Sequence, residues 1–219
     1  MATHFFAAMD GHCGRAQALG WIVALSVGAG MMTELIQSTP QVVAEEEAPA
    51  IAPAPVNPWA GSSFPVEKFT AYTSPFGYRQ HPMGGYRFHY GLDMAAPMGS
   101  YVRSWWDGKV VQVSDNTACG TSAIIQSGHW THIYCHMQGH LVIEKEGGRV
   151  LVDRDGGIEL RQGQTVTSGQ RIGRVGMTGS TTGPHLHWGL KYDGAWVDPA
   201  LVIKAEAEFQ QSQTAQAVN

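Results

Sequence analysis

Short runs of apolar and β-branched residues, bounded by glycine, aspartate, asparagine and serine, fill the chain between positions 59 and 203. Such runs predict β-strands, because strand side chains alternate between two faces and turns need residues that tolerate unusual backbone angles. No segment there has apolar residues at helical spacing over three turns. We therefore predict an all-β domain. The predicted strands are residues 101–105, 109–113, 122–126, 130–137, 141–145, 149–153, 171–175, 185–190 and 195–197.

The first 39 residues contain an uncharged apolar run at positions 18–32, preceded by one basic residue, Arg15. The run is shorter than the ~20 residues that span a bilayer comfortably, and a short run after a weakly positive start is typical of an export signal. We predict a signal peptide or a membrane anchor over residues 1–39, and therefore an exported protein of the periplasm or cell envelope, either secreted or anchored. A buried helix is the alternative, and cleavage and retention are both open.

Two further segments look unlike the β-rich body. Residues 40–58 hold five of the 11 prolines and an acidic triplet, which predicts an extended linker because proline fixes φ and cannot donate to a sheet. Residues 204–219 are rich in alanine, glutamine and serine, and we predict a flexible tail. The folded domain is then residues 59–203.

The charge balance narrows the choice of partners. The chain has 14 basic and 18 acidic side chains, a formal net charge of −4. Nucleic-acid binding needs a surplus of lysine and arginine, so nucleic acid is not expected to be a partner.

Cys119 and Cys135 are predicted to form a disulfide bond. Their midpoint is residue 127, at the turn Ser127-Gly128, and residues mirrored about a hairpin turn face each other at a distance that a disulfide accepts. Such bonds are rare in the cytosol, so the pairing and export support one another. Two buried reduced thiols are the alternative.

His89 and Asp93 form the first candidate group of chemically active side chains. An imidazole nitrogen and a carboxylate oxygen are a common share of the ligands of a catalytic zinc ion. Taken alone, this spacing is also what a chance arrangement with an exposed histidine would give.

His185 and His187 form the second group. On a strand both imidazoles point to one face, whereas Leu186 and Trp188 point to the other and would pack in the core. The pair could serve a metal, or could be two incidental histidines of a half-exposed strand.

The same alternation predicts that His132, Tyr134 and His136 share one face of their strand and that Cys135 lies on the other, where a disulfide would not intrude on the site. Other chemistries lack support: the sequence has no His-Glu-x-x-His motif, no Gly-x-Ser-x-Gly elbow and no Walker loop.

Three ordered segments carry a more specific pattern. They are SPFGYRQHP at residues 74–82, HYGLDMAAP at 89–97 and GMTGSTTGPHLH at 176–187. Together they resemble the lysostaphin/LytM-type zinc metallo-endopeptidases, which cut peptide cross-bridges in bacterial peptidoglycan. The resemblance covers about residues 74–199.

The resemblance implies a fold, a cofactor and a set of roles. The expected fold is a mostly antiparallel sheet with one zinc ion in a groove across one face, which suits an extended peptide. The implied zinc ligands are His89, Asp93 and His187, leaving a fourth position for water. His136 and His185 are then expected to orient or deprotonate that water and to stabilise the tetrahedral intermediate; Tyr134 is a possible further donor without an assigned role.

Residues 141–164 are extra relative to the minimal family domain and are predicted to form a β-hairpin, which either lines the groove or extends the sheet. A non-catalytic regulatory domain that activates another wall hydrolase is the main alternative function, although all five expected positions are present. A closed structural zinc site is the other, but such sites prefer four protein ligands. A regulatory partner protein is also possible.

Overall fold

The computed structural model describes residues 60–80 and 84–217, and the predicted signal or anchor and the predicted linker lie outside this part of the chain. The described residues are mostly in strands, with one α-helix. The strands are β1 (Ala71–Ser74), β2 (Gly77–Gln80), β3 (Tyr86–His89), β4 (Leu92–Ala95), β5 (Tyr101–Arg103), β6 (Gly108–Ser114), β7 (Thr121–Ser127), β8 (Trp130–Met137), β9 (His140–Ile143), β10 (Arg149–Asp153), β11 (Ile158–Arg161), β12 (Thr165–Val166), β13 (Arg171–Arg174), β14 (His185–Tyr192) and β15 (Ala195–Val197). The helix is α1 (Pro199–Ala217).

The prediction of a mostly antiparallel β-fold is confirmed, and all nine predicted strands are present within about two residues at their ends. Six strands were missed: β1 to β4, β11 and β12. The first three of these have mainly exposed or half-exposed residues, so they lack the regular alternation that marks a half-buried strand.

The main sheet has eight strands in the order β1-β4-β14-β8-β7-β6-β12, with β15 paired to the far end of β14. All of its neighbouring pairs are antiparallel. The long strand β14 lies between β4 and β8, and Leu186 and Trp188 of β14 are fully buried on one side. The same strand therefore builds the core with one face and presents its histidines on the other.

One buried cluster joins the main sheet to β5, β13 and the insertion. Trp105 lies at its centre, with ring centroids 5.6 Å from Trp188 in an edge-to-face arrangement. The backbone N–H of Trp105 donates to the hydroxyl of Tyr134, which is completely buried. Burial of such large aromatic side chains stabilises the face of the sheet opposite the histidines of β14.

The insertion at residues 141–164 is a three-stranded sheet, β9-β10-β11, and not the predicted two-stranded hairpin. The strand of the insertion that we did not predict, β11, has the alternation typical of a strand, because Ile158 and Leu160 are buried and the residues between and after them are exposed. The insertion forms its own sheet and does not extend the main one. Asp153 of β10 accepts two hydrogen bonds from the guanidinium of Arg174, at 2.6 and 2.7 Å, which links the insertion to β13.

The prediction of a flexible tail at 204–219 is wrong for the described residues, which continue α1 to Ala217. Asp198 caps the helix by accepting from the N–H of Ala200, and Pro199 occupies the first turn, where its missing N–H costs nothing. Alanine, glutamine, glutamate and lysine are good helix formers, so the composition that we interpreted as a tail favours a helix. No helix in residues 60–80 and 84–217 is long and apolar enough to span a membrane.

Glu206 fastens α1 to the core, because its carboxylate accepts from the indole N–H of Trp105 at 2.7 Å. Burial raises the pKa of Glu206 above its ordinary value of 4.5, although the hydrogen bond from Trp105 partly offsets this shift. The folded state therefore binds the proton of the Glu206 carboxyl group more tightly than the unfolded chain does. The stability that this protonated group contributes is lost as the pH rises through the raised pKa.

We expect Glu206→Ala to lower the free energy of unfolding by about 1–3 kcal/mol, because the indole N–H loses this acceptor. Glu206→Gln keeps an acceptor oxygen and does not titrate, so its stability relative to the parent should improve as the pH rises from about 4 to about 8. Urea unfolding at both pH values measures the free energy of unfolding of the parent and of the two variants. A constant difference between the glutamine variant and the parent would contradict the assigned pKa shift.

Candidate metal centre

Three side chains from neighbouring strands bring one donor atom each to a common point. His89 ends β3, and Asp93 of β4 lies directly opposite His187 of β14 in the antiparallel register. His89 Nε2 lies 2.9 Å from His187 Nδ1 and 3.0 Å from Asp93 Oδ1, and His187 Nδ1 lies 2.9 Å from Asp93 Oδ1. The three atoms thus form a nearly equilateral triangle, and this group could hold a metal ion.

Backbone packing fixes the orientation of this group. His89 Nδ1 lies 2.7 Å from the carbonyl oxygen of Pro75, which can only accept, so Nδ1 carries the hydrogen and Nε2 presents its lone pair. Gly91 lies between the ligands His89 and Asp93 in the sequence, and a Cβ atom there would be 2.6 Å from the ring of His187. A side chain at position 91 would therefore displace His187.

The donor set fits zinc. Two imidazole nitrogens and one carboxylate oxygen are ligands that Zn²⁺ accepts, and atoms bonded to one ion at about 2.0–2.2 Å lie a few ångström apart, as these do. His89 and Asp93 are only 8% and 7% exposed, so the centre is largely shielded from bulk water. Three ligands leave a position for water or substrate, as in catalytic sites.

Asp93 is the electrostatic centre of the group. Burial alone would raise the pKa of its carboxyl group, but the close contacts with the imidazoles of His185, His187 and His89 outweigh burial and hold the pKa well below its usual range. The carboxylate therefore stays ionised, which is the form that binds a cation. For His187 the balance is reversed, because burial lowers its pKa more than Asp93 raises it.

Two further histidines face the same space. The Nδ1 atoms of His185 and His136 lie 2.8 Å from the carbonyl oxygens of Gly183 and Thr178 respectively, so each Nδ1–H donates to the backbone. Each ring consequently directs its Nε2 away from that carbonyl, and the two ring centroids are 4.9 Å apart. His185 Nε2 lies 3.5 Å from Asp93 Oδ1.

The environments of these two histidines differ. Burial lowers the pKa of His136 to about 4, despite the opposing hydrogen bond to Thr178. For His185 burial also favours the neutral ring, but the hydrogen bond and negative charge of Asp93 outweigh it and raise the pKa.

The structure brings together all five predicted site residues, but the backbone conformation that places His136 there differs from the predicted one. Strict alternation would place His136 with His132 and Tyr134, and Tyr134 pairs with Trp188 on the buried side of the sheet. Instead, His136 has φ = 61°, a left-handed conformation that is rare for a residue with a side chain. This conformation turns its ring to the side of the metal ligands, so the prediction that the three residues share one face is wrong.

Tyr134 and His132 belong to the core and not to the site. Both are completely buried, and the Tyr134 hydroxyl lies 3.3 Å from His132 Nδ1. Burial lowers the pKa of His132 to about 3 and raises the pKa of Tyr134. The possible role of Tyr134 as a donor in the site is therefore wrong.

Cys119 and Cys135 form the predicted disulfide, with their Cα atoms 4.9 Å apart. The geometry differs from the prediction, because Ser127 already pairs with Trp130 and Cys119 lies beyond the start of β7. A register shift near the start of β7 and a turn at residues 117–120 bring Cys119 to its partner. The predicted separation of the disulfide from the site is also wrong, since Cys135 pairs with His187 in the sheet.

The turn that carries Cys119 also holds the loop beneath His136. The backbone N–H of His136 donates to the Cys119 carbonyl at 2.8 Å, and the N–H of Thr121 donates to the Thr178 hydroxyl at 2.8 Å. Gly120 has φ = 63°, and a Cβ atom there would lie 2.4 Å from Thr178. This close contact positions the carbonyl that fixes the His136 ring.

Sequence reasoning assigned no role to the anchoring carbonyls of Pro75, Thr178 and Gly183 or to Arg79, whose Nη2 lies 3.7 Å from Asp93 Oδ2. Backbone acceptors leave no trace in side-chain patterns. All four lie in the quoted segments 74–82 and 176–187, so only the family pattern could have directed attention to them.

An antiparallel β-protein with two imidazoles and one carboxylate converging beside two further histidines has the features of a metallopeptidase domain. Comparison with known families agrees: the model of peptidase family M23 matches residues 87–199, more than half of the chain. The protein belongs to this family, which confirms the resemblance deduced from the sequence.

Similar proteins are longer than the region they share with this chain. The DD-carboxypeptidase/endopeptidase Mpg of Neisseria meningitidis serogroup B is 32% identical over 149 residues, 67% of this chain and 30% of that protein. The peptidoglycan DD-endopeptidase ShyB of Vibrio cholerae is 34% identical over 132 residues, 59% of this chain and 27% of that protein. A solved zinc-containing peptidase from Vibrio cholerae is 32% identical with a TM-score of 0.49, covering 63% of this chain and 39% of the other. The chain thus spans less than a third of the length of Mpg and of ShyB.

We expect Gly120→Ala to destabilise the protein more than Gly128→Ala. Both glycines have left-handed φ angles, 63° and 56°, but a Cβ at 128 meets nothing within 4 Å. The control should lose about 1–2 kcal/mol from backbone strain alone, whereas Gly120→Ala must also displace Thr178. Urea unfolding measures both free energies, and equal losses would contradict the proposed packing of this turn.

Proposed function

We propose that the protein is a zinc-dependent endopeptidase of the bacterial cell envelope that hydrolyses peptide cross-links of peptidoglycan. The observation that carries this proposal is the convergence of His89 Nε2, Asp93 Oδ1 and His187 Nδ1 within 2.9–3.0 Å of one another, beside two imidazoles whose Nδ1 atoms are held by backbone carbonyls. Membership of peptidase family M23 supports the reaction type.

The ligands His89, Asp93 and His187 would hold one zinc ion. When bound, zinc supplies a Lewis acid and makes a water molecule nucleophilic near neutral pH. Among the described residues, Asp93 is the one carboxylate in this group of metal-binding side chains. The protons of the reaction therefore fall to histidines.

His136 and His185 have the geometry for that work. Their Nδ1–H groups are held by backbone carbonyls, so each presents Nε2 to the reacting atoms. As the water oxygen bonds to the peptide carbonyl carbon, the Nε2 of one neutral ring accepts the water proton, and the other ring, as an imidazolium, donates a hydrogen bond from Nε2 to the carbonyl oxygen. The carbon–nitrogen bond then breaks, and the leaving nitrogen receives a proton from an imidazole.

The substrate and location follow from the relatives, whose names include peptidoglycan DD-endopeptidase and DD-carboxypeptidase/endopeptidase. We propose a peptide substrate in which the residues flanking the scissile bond are both of the D configuration. Peptidoglycan lies outside the cytoplasm, so the proposal requires export, in agreement with the signal or anchor predicted at residues 1–39. All five site side chains are present and convergent, which argues against a purely regulatory domain.

The full chain, loaded with zinc and incubated with purified peptidoglycan sacculi, tests the proposal. Released fragments are identified by mass spectrometry with and without a zinc chelator. We expect chelator-sensitive loss of cross-linked dimers, and the new termini identify the bond that is cut. Intact dimers from a folded, zinc-loaded sample would contradict the proposed activity and favour a regulatory protein.

The division of roles makes a second prediction. His89→Ala and His187→Ala should lose both zinc and activity, because two ligands hold zinc poorly. His185→Ala should retain zinc while losing about 10²–10⁴-fold in kcat, as expected for removal of a general acid or base. His129→Ala is the matched control, since His129 is exposed at the other end of β8 and pairs with Asp193.

Metal analysis after dialysis and hydrolysis rates give the two readouts. A His185→Ala variant that turns over as fast as the parent would refute its role, and one that loses zinc would make it a ligand.

A further inference from the structure

Arg79 is a cation at the edge of the metal centre with no role in the mechanism above. It lies on β2, which pairs with β3 so that Gly77 faces His89 and Arg79 faces Arg87. Arg79 therefore lies on the same face of this hairpin as the ligand His89. Its side chain is 22% exposed, and its Nη2 lies 3.7 Å from Asp93 Oδ2, too far for a direct hydrogen bond.

The guanidinium group of Arg79 has an unused donor. Its Nε is buried and has no hydrogen-bond partner among the described residues. Two other arginines are paired: Arg174 binds Asp153 through two hydrogen bonds, and Arg171 binds Glu67 through two. Because an unpaired buried donor is unfavourable, a site that keeps one is suited to a ligand that supplies the acceptor.

The charge of Arg79 is also poorly neutralised. The nearest carboxylate, Asp93, is committed to three histidines. A zinc ion with one carboxylate and two neutral imidazoles leaves a formal charge of +1, and Arg79 adds another. This region therefore favours an anionic group of the substrate close to the scissile bond.

We propose, building on the proposed function, that Arg79 binds a free carboxylate on the carbon attached to the scissile nitrogen. The planar guanidinium matches a carboxylate through two parallel hydrogen bonds. Such a carboxylate is three covalent bonds from the scissile carbonyl carbon, or about 3–4 Å away, comparable with the distance between Arg79 and the ligand Asp93.

This assignment defines the class of substrate. Arg79 selects peptides whose leaving amino acid carries its own carboxylate beside the scissile nitrogen, as a C-terminal residue does, or a cross-linking residue whose amine and carboxylate share one carbon. Cross-links in which that position bears another amide, such as the interior of a glycine bridge, lack the anion and are poor substrates.

The test compares two peptides that end in D-alanyl-D-alanine, one with a free carboxylate and one with a terminal amide, using the zinc-loaded full chain. We expect the parent to prefer the carboxylate by about 10- to 100-fold in kcat/KM. Arg79→Gln should abolish this preference without loss of zinc, and Arg79→Lys should restore part of it. Arg87→Gln is the matched control, because it removes the same charge from the facing, exposed position and should keep the preference.

Binding of unreactive analogues provides a readout that does not depend on catalysis. In these analogues the scissile amide is replaced by a methyleneamine, and titration calorimetry compares the carboxylate and amide forms. The parent should bind the carboxylate form about 10-fold or more tightly than the amide, and Arg79→Gln should bind both alike.

Each outcome separates this proposal from the proposed function. Equal cleavage and equal binding of the two forms by the parent would overturn the role of Arg79 while leaving the peptidase activity intact. Loss of zinc from Arg79→Gln with an unchanged preference would instead make Arg79 a support for Asp93. If neither peptide nor sacculi are cleaved, the proposed function fails, and tighter binding of the carboxylate analogue would still establish the carboxylate site.

Discussion

The antiparallel pairing of β4 with β14 is the constraint on which the rest of the site depends. In this register Asp93 lies opposite His187 on the face of the metal centre, whereas Met94 lies opposite Leu186 on the buried face. A slip of one residue would exchange the two faces, burying the imidazoles and exposing the core residues. The large loss of apolar burial prevents that slip, so the packing of the core also fixes the geometry of the metal ligands.

A second constraint comes from the buried negative charge of Asp93. Burial of a carboxylate is unfavourable unless partners surround it, and here three imidazoles do so. Three of the four site histidines in turn donate through Nδ1 to backbone carbonyls, which sets the nitrogen that each presents. The order of the site thus comes from backbone acceptors as much as from neighbouring side chains.

His136 departs from regular strand geometry, and this departure places its ring in the site. A left-handed residue at the end of a strand costs free energy and persists only when its surroundings enforce it. Here the disulfide of Cys135, the hydrogen bond from the His136 N–H to Cys119 and the contact of Gly120 with Thr178 do so together. Through the Thr178 carbonyl, this turn connects the covalent cross-link to the orientation of an imidazole in the centre.

The sequence by itself determined the β-class of the fold, the long strands, the disulfide partners and the five side chains that converge, because these follow from two-residue alternation, turn residues and a recognisable family pattern. It misjudged α1, since good helix formers with few apolar residues resemble a tail until Val202 and Glu206 find partners in the core. Only the tertiary structure decided which face His136 serves, which carbonyls orient the histidines and that the Nε of Arg79 lacks a partner among the described residues. Those features depend on contacts between residues far apart in the chain and on backbone atoms that every residue shares, so no local pattern of side chains encodes them.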